Sequence, residues 1–189
     1  MTGSRSRAKG SKEENTLPLR QPGRKSQQPL YTADERRRRD ASPWTLVQGI
    51  LAPIQFLVFA VSLGLVLRYL ATGAGLEAAT ISIVVKTLTL YAIMITGSIW
   101  EKEVFGCYLF ARPFYWEDMF SMVVLALHTA YIASLLFGFL DTRTQMYLAL
   151  AAYATYVINA TQFLLKLRAA RLGQQLHRNE SSAAMALSE

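Results

Sequence analysis

Four stretches of this chain are almost free of charge. Residues 44–67, 78–99, 119–140 and 146–165 carry one formal charge between them, Lys86. Each is about as long as the ~20 residues an α-helix needs to cross a bilayer, and a soluble core of this size has no use for four such runs. The pattern predicts an all-α integral membrane protein of four transmembrane helices, at about 44–70, 78–99, 119–140 and 146–165, within a domain covering residues 30–172. Gln48 and Gln55 stand seven apart and share a helix face, which they turn inward. Pro53 lies inside the first span, where its missing N–H predicts a kink. The first and second spans are joined by a Gly-rich turn, the third and fourth by a tight turn at Asp141-Thr142-Arg143.

Outside the spans the composition changes. Residues 1–29 are rich in Ser, Gly, Lys and Arg and hold too little apolar surface to fold, so a disordered basic N-terminal tail is expected. Thr32, followed by Asp34 and Glu35, predicts the N-cap of a short helix running into Arg36–Arg39. Residues 173–189 are polar and predict a flexible C-terminal tail. Of the Lys/Arg residues outside the spans, seventeen fall on one side of this topology and two, Arg68 and Arg143, on the other. Positive charge marks the cytoplasmic side. Both termini and the connector between spans two and three are therefore expected there, the basic tail facing anionic lipid. The net charge of +7 comes with no nucleic-acid recognition motif, so nucleic acid is not an expected partner. The single cysteine, Cys107, forbids an intrachain disulfide, and with one internal histidine it cannot build a four-ligand zinc site.

The chemistry concentrates in Trp100–Asp118. This stretch holds four carboxylates (Glu101, Glu103, Glu117, Asp118) and seven aromatic rings, among them Trp100, Phe105 and Trp116. Glu101 and Glu103 follow the C-terminus of one helix, where the dipole disfavours negative charge; Glu117 and Asp118 open the next, where it favours it. The first pair is thus the expected proton donor and the second the expected acceptor, the division acid–base catalysis needs. The plainer alternative makes Asp118 an N-cap and the glutamates solvated interface charges beside Lys102 and Arg112. His128 follows Glu117 by three helical turns on the same face, and an ionisable group inside a membrane is a functional candidate. Lys86, the one charge at mid-depth, either pairs, lines a cavity or binds an acidic substrate group. Tyr156 and Asn159 form a polar stripe suited to helix packing or to ligand contact. The rings suit an interfacial belt and suit equally a flat, conjugated ligand.

The run Leu46-Val47-Gln48-Gly49-Ile50-Leu51-Ala52-Pro53-Ile54-Gln55-Phe56-Leu57-Val58-Phe59, with Trp100-Glu101-Lys102-Glu103-Val104-Phe105-Gly106, resembles the vinyl bacteriochlorophyllide hydratase family. So do Phe114–Asp118, His128-Thr129-Ala130-Tyr131 and Ala152–Ala160, over about residues 30–171. The resemblance implies a hydro-lyase of bacteriochlorophyll synthesis in a bacterial cytoplasmic or intracytoplasmic photosynthetic membrane. It would add water across the C3 vinyl group of chlorophyllide a, or of 3-vinyl bacteriochlorophyllide a, to give a 1-hydroxyethyl group. A dehydrogenase would then oxidise that group, making such enzymes possible partners. No cofactor is implied beyond the magnesium belonging to the tetrapyrrole substrate.

The resemblance carries no residue roles across. The roles expected from the residues are Glu101 or Glu103 as donor and Glu117 or Asp118 as acceptor, with His128 on the water or the substrate's magnesium. The rings Trp100, Phe105 and Trp116, with Tyr156 and Asn159, would hold the macrocycle; Lys102 and Arg112, or Lys86, would hold its propionate. The competing class is a non-enzymatic four-helix pigment carrier or assembly subunit, which would want the same rings but no proton chemistry.

Overall fold

The computed structural model describes residues 30–186, so the expected disordered tail at 1–29 lies outside the described residues. Five helices follow in order: α1 Ala33–Ala41, α2 Pro43–Thr72, α3 Leu76–Phe105, α4 Tyr115–Phe137 and α5 Thr142–Ala186. Four of them, α2 to α5, are long and apolar enough to cross a membrane. At 1.5 Å per residue, the 30 residues of α3 extend ~45 Å. That exceeds the ~30 Å hydrocarbon thickness.

The helix boundaries depart from the apolar runs in physically simple ways. The run ends near Ile99, but Trp-Glu-Lys-Glu-Val-Phe contains no helix breaker, and α3 continues to Phe105. It stops at Gly106, whose left-handed backbone (φ 84°) lets its N–H reach the Lys102 carbonyl at 3.0 Å. Much of the expected connector is therefore helix, and the true loop is residues 106–114. α2 runs through Pro53 as one helix. α5 likewise continues past residue 165 and past Gly173 to Ala186, so helix stands where a flexible tail is expected. α1 begins as predicted: Glu35 N–H donates to Thr32 Oγ1 (3.3 Å) and Thr32 N–H to Glu35 Oε2 (2.7 Å), a reciprocal capping box. Asp141 accepts from Thr144 N–H (3.1 Å) and Oγ1 (2.5 Å) at the start of α5. These bonds hold its carboxyl below the usual range.

α2 packs mainly on α3 and α4 mainly on α5. The two hairpins meet more sparsely, α2 against α5 and α3 against α4. The bundle is apolar outside, with Leu57, Leu136 and Phe137 at 65, 74 and 78% exposure. Its interior is mixed. Phe59, Val66, Ile83, Met146, Ala149 and Tyr153 pack together, and Gln55, Ser62, Lys86, Thr87 and His128 are buried among the helices. In water this distribution would be inverted; in lipid it is the expected one. Small residues such as Ala79, Ala149 and Ala152 allow close approach. Ser62 links the hairpins by hydrogen-bonding Ser82 Oγ (2.7 Å) and Tyr153 OH (2.6 Å).

Replacing Tyr153 by Phe removes one arm of that link and leaves Ser62 bonded to Ser82. The expected cost is about 1 kcal/mol, read as a lower thermal midpoint of the detergent-solubilised protein.

Candidate functional site

The four carboxylates of the 100–118 stretch separate into two kinds. Glu101 and Asp118 are buried, at 6 and 8% exposure, and face each other within hydrogen-bonding reach. Glu101 comes from the last turns of α3 and Asp118 from the first turn of α4, so the 106–114 loop closes the two helix ends onto one point. Glu103 and Glu117 are committed elsewhere. Glu103 is exposed and accepts from Ser42 Oγ (2.5 Å), tying α3 to the start of α2. Glu117 accepts from Lys166 Nζ (2.7 Å) in an ion pair with α5. Of the four carboxyls in the expected donor and acceptor pairs, Glu101 and Asp118 are the two that the fold brings together.

The loop supplies what the pair needs. Phe110 N–H donates to Asp118 Oδ2 (2.8 Å), and Ala111 N–H donates to Glu101 Oε2 (3.3 Å). Two successive main-chain donors point at two facing carboxyls because Phe110 adopts φ +62°. It is the one non-glycine residue with positive φ among the described residues. Such a conformation is costly for a bulky side chain and persists where the surroundings impose it. Glu101 and Asp118 also act on each other, and two carboxyls hydrogen-bond to one another only when one of them carries a proton.

The rings of the same helix ends form a cluster of their own. Trp100, Phe105 and Phe114 stand with centroids 5.8 Å apart pairwise. Tyr31, from the segment before α1, stacks on Phe105 at 5.8 Å, and Phe163 of α5 stacks on Phe114 at 5.6 Å. Each such pair adds about 0.5–1.5 kcal/mol. Trp100 also donates from Nε1 to Thr45 Oγ1 (2.9 Å). Trp100 and Phe105 are thus packing elements of that cluster. Trp116, 70% exposed, points outward with Tyr108 and Tyr115, as an interfacial belt does. Lys102 is exposed and turns back to its own helix end, donating to the Gly106 carbonyl (2.9 Å), and Arg112 is exposed on the loop.

A second polar group lies deeper. Asp118 and His128 are ten residues apart on α4, ~15 Å along its axis, so His128 does not share the carboxyl pair's immediate surroundings. His128 Nδ1–H donates to the Val124 carbonyl (2.8 Å), which leaves Nε2 of the neutral ring as a buried acceptor with no protein partner. Its ring lies 5.8 Å from that of Tyr153. Lys86 Nζ sits 3.9 Å from the ring centre of Tyr156 and has no hydrogen-bond partner. Asn159 Nδ2 donates to Ser121 Oγ (2.8 Å), a helix–helix bond, while its Oδ1 is unpaired. Gln55 and Gln162 also present unpaired polar atoms. These groups come from all four long helices.

Sequence reasoning missed four participants. The N–H groups of Phe110 and Ala111 are main-chain donors, and no side-chain pattern announces them. Tyr31 stands seventy residues before the stretch it packs against. Lys166 reads as one more charge at a helix end, and only its distance from Glu117 gives it a specific partner.

Comparison with known sequences matches residues 31–169 to the family described as 2-vinyl bacteriochlorophyllide hydratase. Two relatives carry that same name. The one from Rhodobacter capsulatus is 67% identical over 151 residues, covering 80% of this chain and 88% of the relative. The one from Cereibacter sphaeroides is 67% identical over 146 residues, covering 77% and 91%. No solved structure matches the chain.

Replacing Phe110 by Gly keeps the N–H to Asp118 and relieves the strained φ, so thermal stability is expected to hold or rise. Replacing it by Pro removes that donor and forbids the positive φ, and is expected to cost more than about 1 kcal/mol. Thermal midpoints of the two purified variants check this.

Proposed function

The chain belongs to the 2-vinyl bacteriochlorophyllide hydratase family, and we propose that the facing carboxyls of Glu101 and Asp118 perform its chemistry. The enzyme is a hydratase of bacteriochlorophyll synthesis. Its reaction adds the elements of water across a vinyl group, with no net oxidation or reduction, so we assign it no redox cofactor.

The single observation behind the assignment is that two buried carboxyls meet with main-chain donors on their outer oxygens. A pair in that state holds one transferable proton and, once that is given up, one more site to receive a proton. The proton passes to the terminal vinyl carbon. The positive charge left on the adjacent carbon is spread over the conjugated macrocycle. Water attacks that carbon, and the proton it sheds returns to the carboxyl pair. The product is a 1-hydroxyethyl group and the pair ends as it began. The steps belong to the pair as a unit, as expected where two interacting acids titrate together. A positioned acid–base group of this kind contributes about 10²–10⁴-fold.

The pigment would lie in the seam between the hairpins, its vinyl edge at the carboxyl pair and its face along the interior. Tyr156 and the free oxygen of Asn159 line that path, and His128 Nε2 is the protein lone pair suited to the magnesium the pigment carries. We place the connector end and both termini at the cytoplasmic face, on the seventeen-to-two bias of Lys and Arg. The membrane would be that of a photosynthetic bacterium. The product is a secondary alcohol, and the reaction class that consumes it is dehydrogenation. A pigment carrier would be served by the rings, yet would have no use for a carboxyl pair, and the family's activity sets that reading aside.

Hydrating the vinyl group shortens the conjugated system, so turnover is followed as a blue shift of the pigment's red absorption band. Glu101→Gln and Asp118→Asn are expected to lower the rate by about 10²–10⁴-fold, while Glu103→Gln and Glu117→Gln stay within a few-fold of wild type. Full activity in the first two would remove the pair from the mechanism.

A further inference from the structure

We propose that Lys86 binds the free carboxylate of the pigment, and so makes the enzyme selective for free-acid pigments over their esters. The proposal rests on the reading that the pigment occupies the seam with its vinyl group at Glu101 and Asp118.

Lys86 is fully buried, at 0% exposure, ten residues into α3. Its Nζ has no hydrogen-bond partner, and it is absent from the ion pairs found among the described residues. What the ammonium does meet is the face of Tyr156 at 3.9 Å, with His128 close by. A ring face attracts a cation but does not neutralise it. On its own helix the neighbouring carboxylates are Glu77, nine residues back, and Glu101, fifteen residues on. These are ~13 and ~22 Å away along the axis, beyond direct pairing. Burying an uncompensated charge is strongly unfavourable, so the site lacks an anion.

The substrate brings one. A bacteriochlorophyllide is the free acid of its pigment, and its propionate sits on the edge of the macrocycle away from the reacting vinyl group. Lys86 and Glu101 stand fifteen positions apart, ~60° in angle around α3, so both project toward the same side of the helix. A guest with its vinyl group at one therefore extends its far edge toward the other. Lys102 and Arg112 do not fit this role. They lie at the connector end, with the carboxyl pair, and both are exposed. Esterification replaces the carboxylate with an uncharged group and leaves Lys86 without its partner.

The test is equilibrium binding to the full-length protein in detergent, read by quenching of tryptophan fluorescence. The probes are 3-vinyl bacteriochlorophyllide a and its propionate methyl ester. Wild type is expected to bind the acid roughly thirtyfold or more tighter than the ester, the scale of a buried charge pair. Lys86→Met should weaken acid binding to the level of the ester and leave the ester unchanged. Lys86→Arg, which keeps the charge, should preserve the preference. Equal binding of acid and ester by wild type overturns the proposal, and so does a Met variant that weakens both alike. If the Met variant does not fold, the wild-type comparison still decides. Because the readout is binding, the result is independent of whether Glu101→Gln abolishes turnover, and either assignment can fail alone.

Discussion

Inside a bilayer a buried polar group has no water to fall back on. Each one must find its partner in the protein or on something the protein binds. This requirement organises the bundle. Ser62 satisfies it with Ser82 and Tyr153, Gln48 with Thr96, and Asn159 in part with Ser121. Glu101 and Asp118 satisfy it with each other and with two main-chain donors. Lys86, His128 Nε2 and Gln55 do not satisfy it within the protein, and they lie where the hairpins meet. The fold thus distinguishes polar groups paired within the protein from polar groups that are not.

The same requirement explains the division of the connector's residues. Packing needs and chemical needs compete for a short stretch of chain, and position on the helices decides between them. Glu103 and Glu117 stand one residue outward of inward-facing positions, where partners from α2 and α5 reach them. Glu101 and Asp118 are buried, where they meet each other and the main-chain donors of the folded-back loop. The rings divide likewise. Trp100, Phe105 and Phe114 cluster with Tyr31, and Tyr108, Tyr115 and Trp116 face outward. The loop's strained residue, Phe110, belongs to this economy. A relaxed turn would aim its N–H elsewhere and leave Asp118 with one fewer donor.

Vinyl hydration suits such a site. The reaction has to move a proton onto carbon and take one from water, without a redox partner and with a substrate that prefers lipid. On the proposed assignment, the buried carboxyl pair would offer that proton, and the unpaired polar groups of the interior would orient the rest of the macrocycle.

Periodicity and charge were enough to read four spanning helices, the capping box at Thr32 and a connector dense in acids and rings. These features are local: they depend on which residues follow one another and on the bilayer's thickness. The family was legible for the same reason, in long runs such as Leu46–Phe59 and Trp100–Gly106. Partnership was not. That Glu101 meets Asp118 while Glu103 meets Ser42 and Glu117 meets Lys166 depends on how α3 and α4 are rotated and on a loop conformation imposed at Phe110, and neither leaves a trace in residue order. The extension of α3 through Glu101 was equally hidden, because the end of an apolar run is set by the edge of the membrane and the end of a helix by Gly106. Sequence determined which chemistry is available; the tertiary structure decided which groups are close enough to use it, since a proton moves only over a hydrogen bond's length.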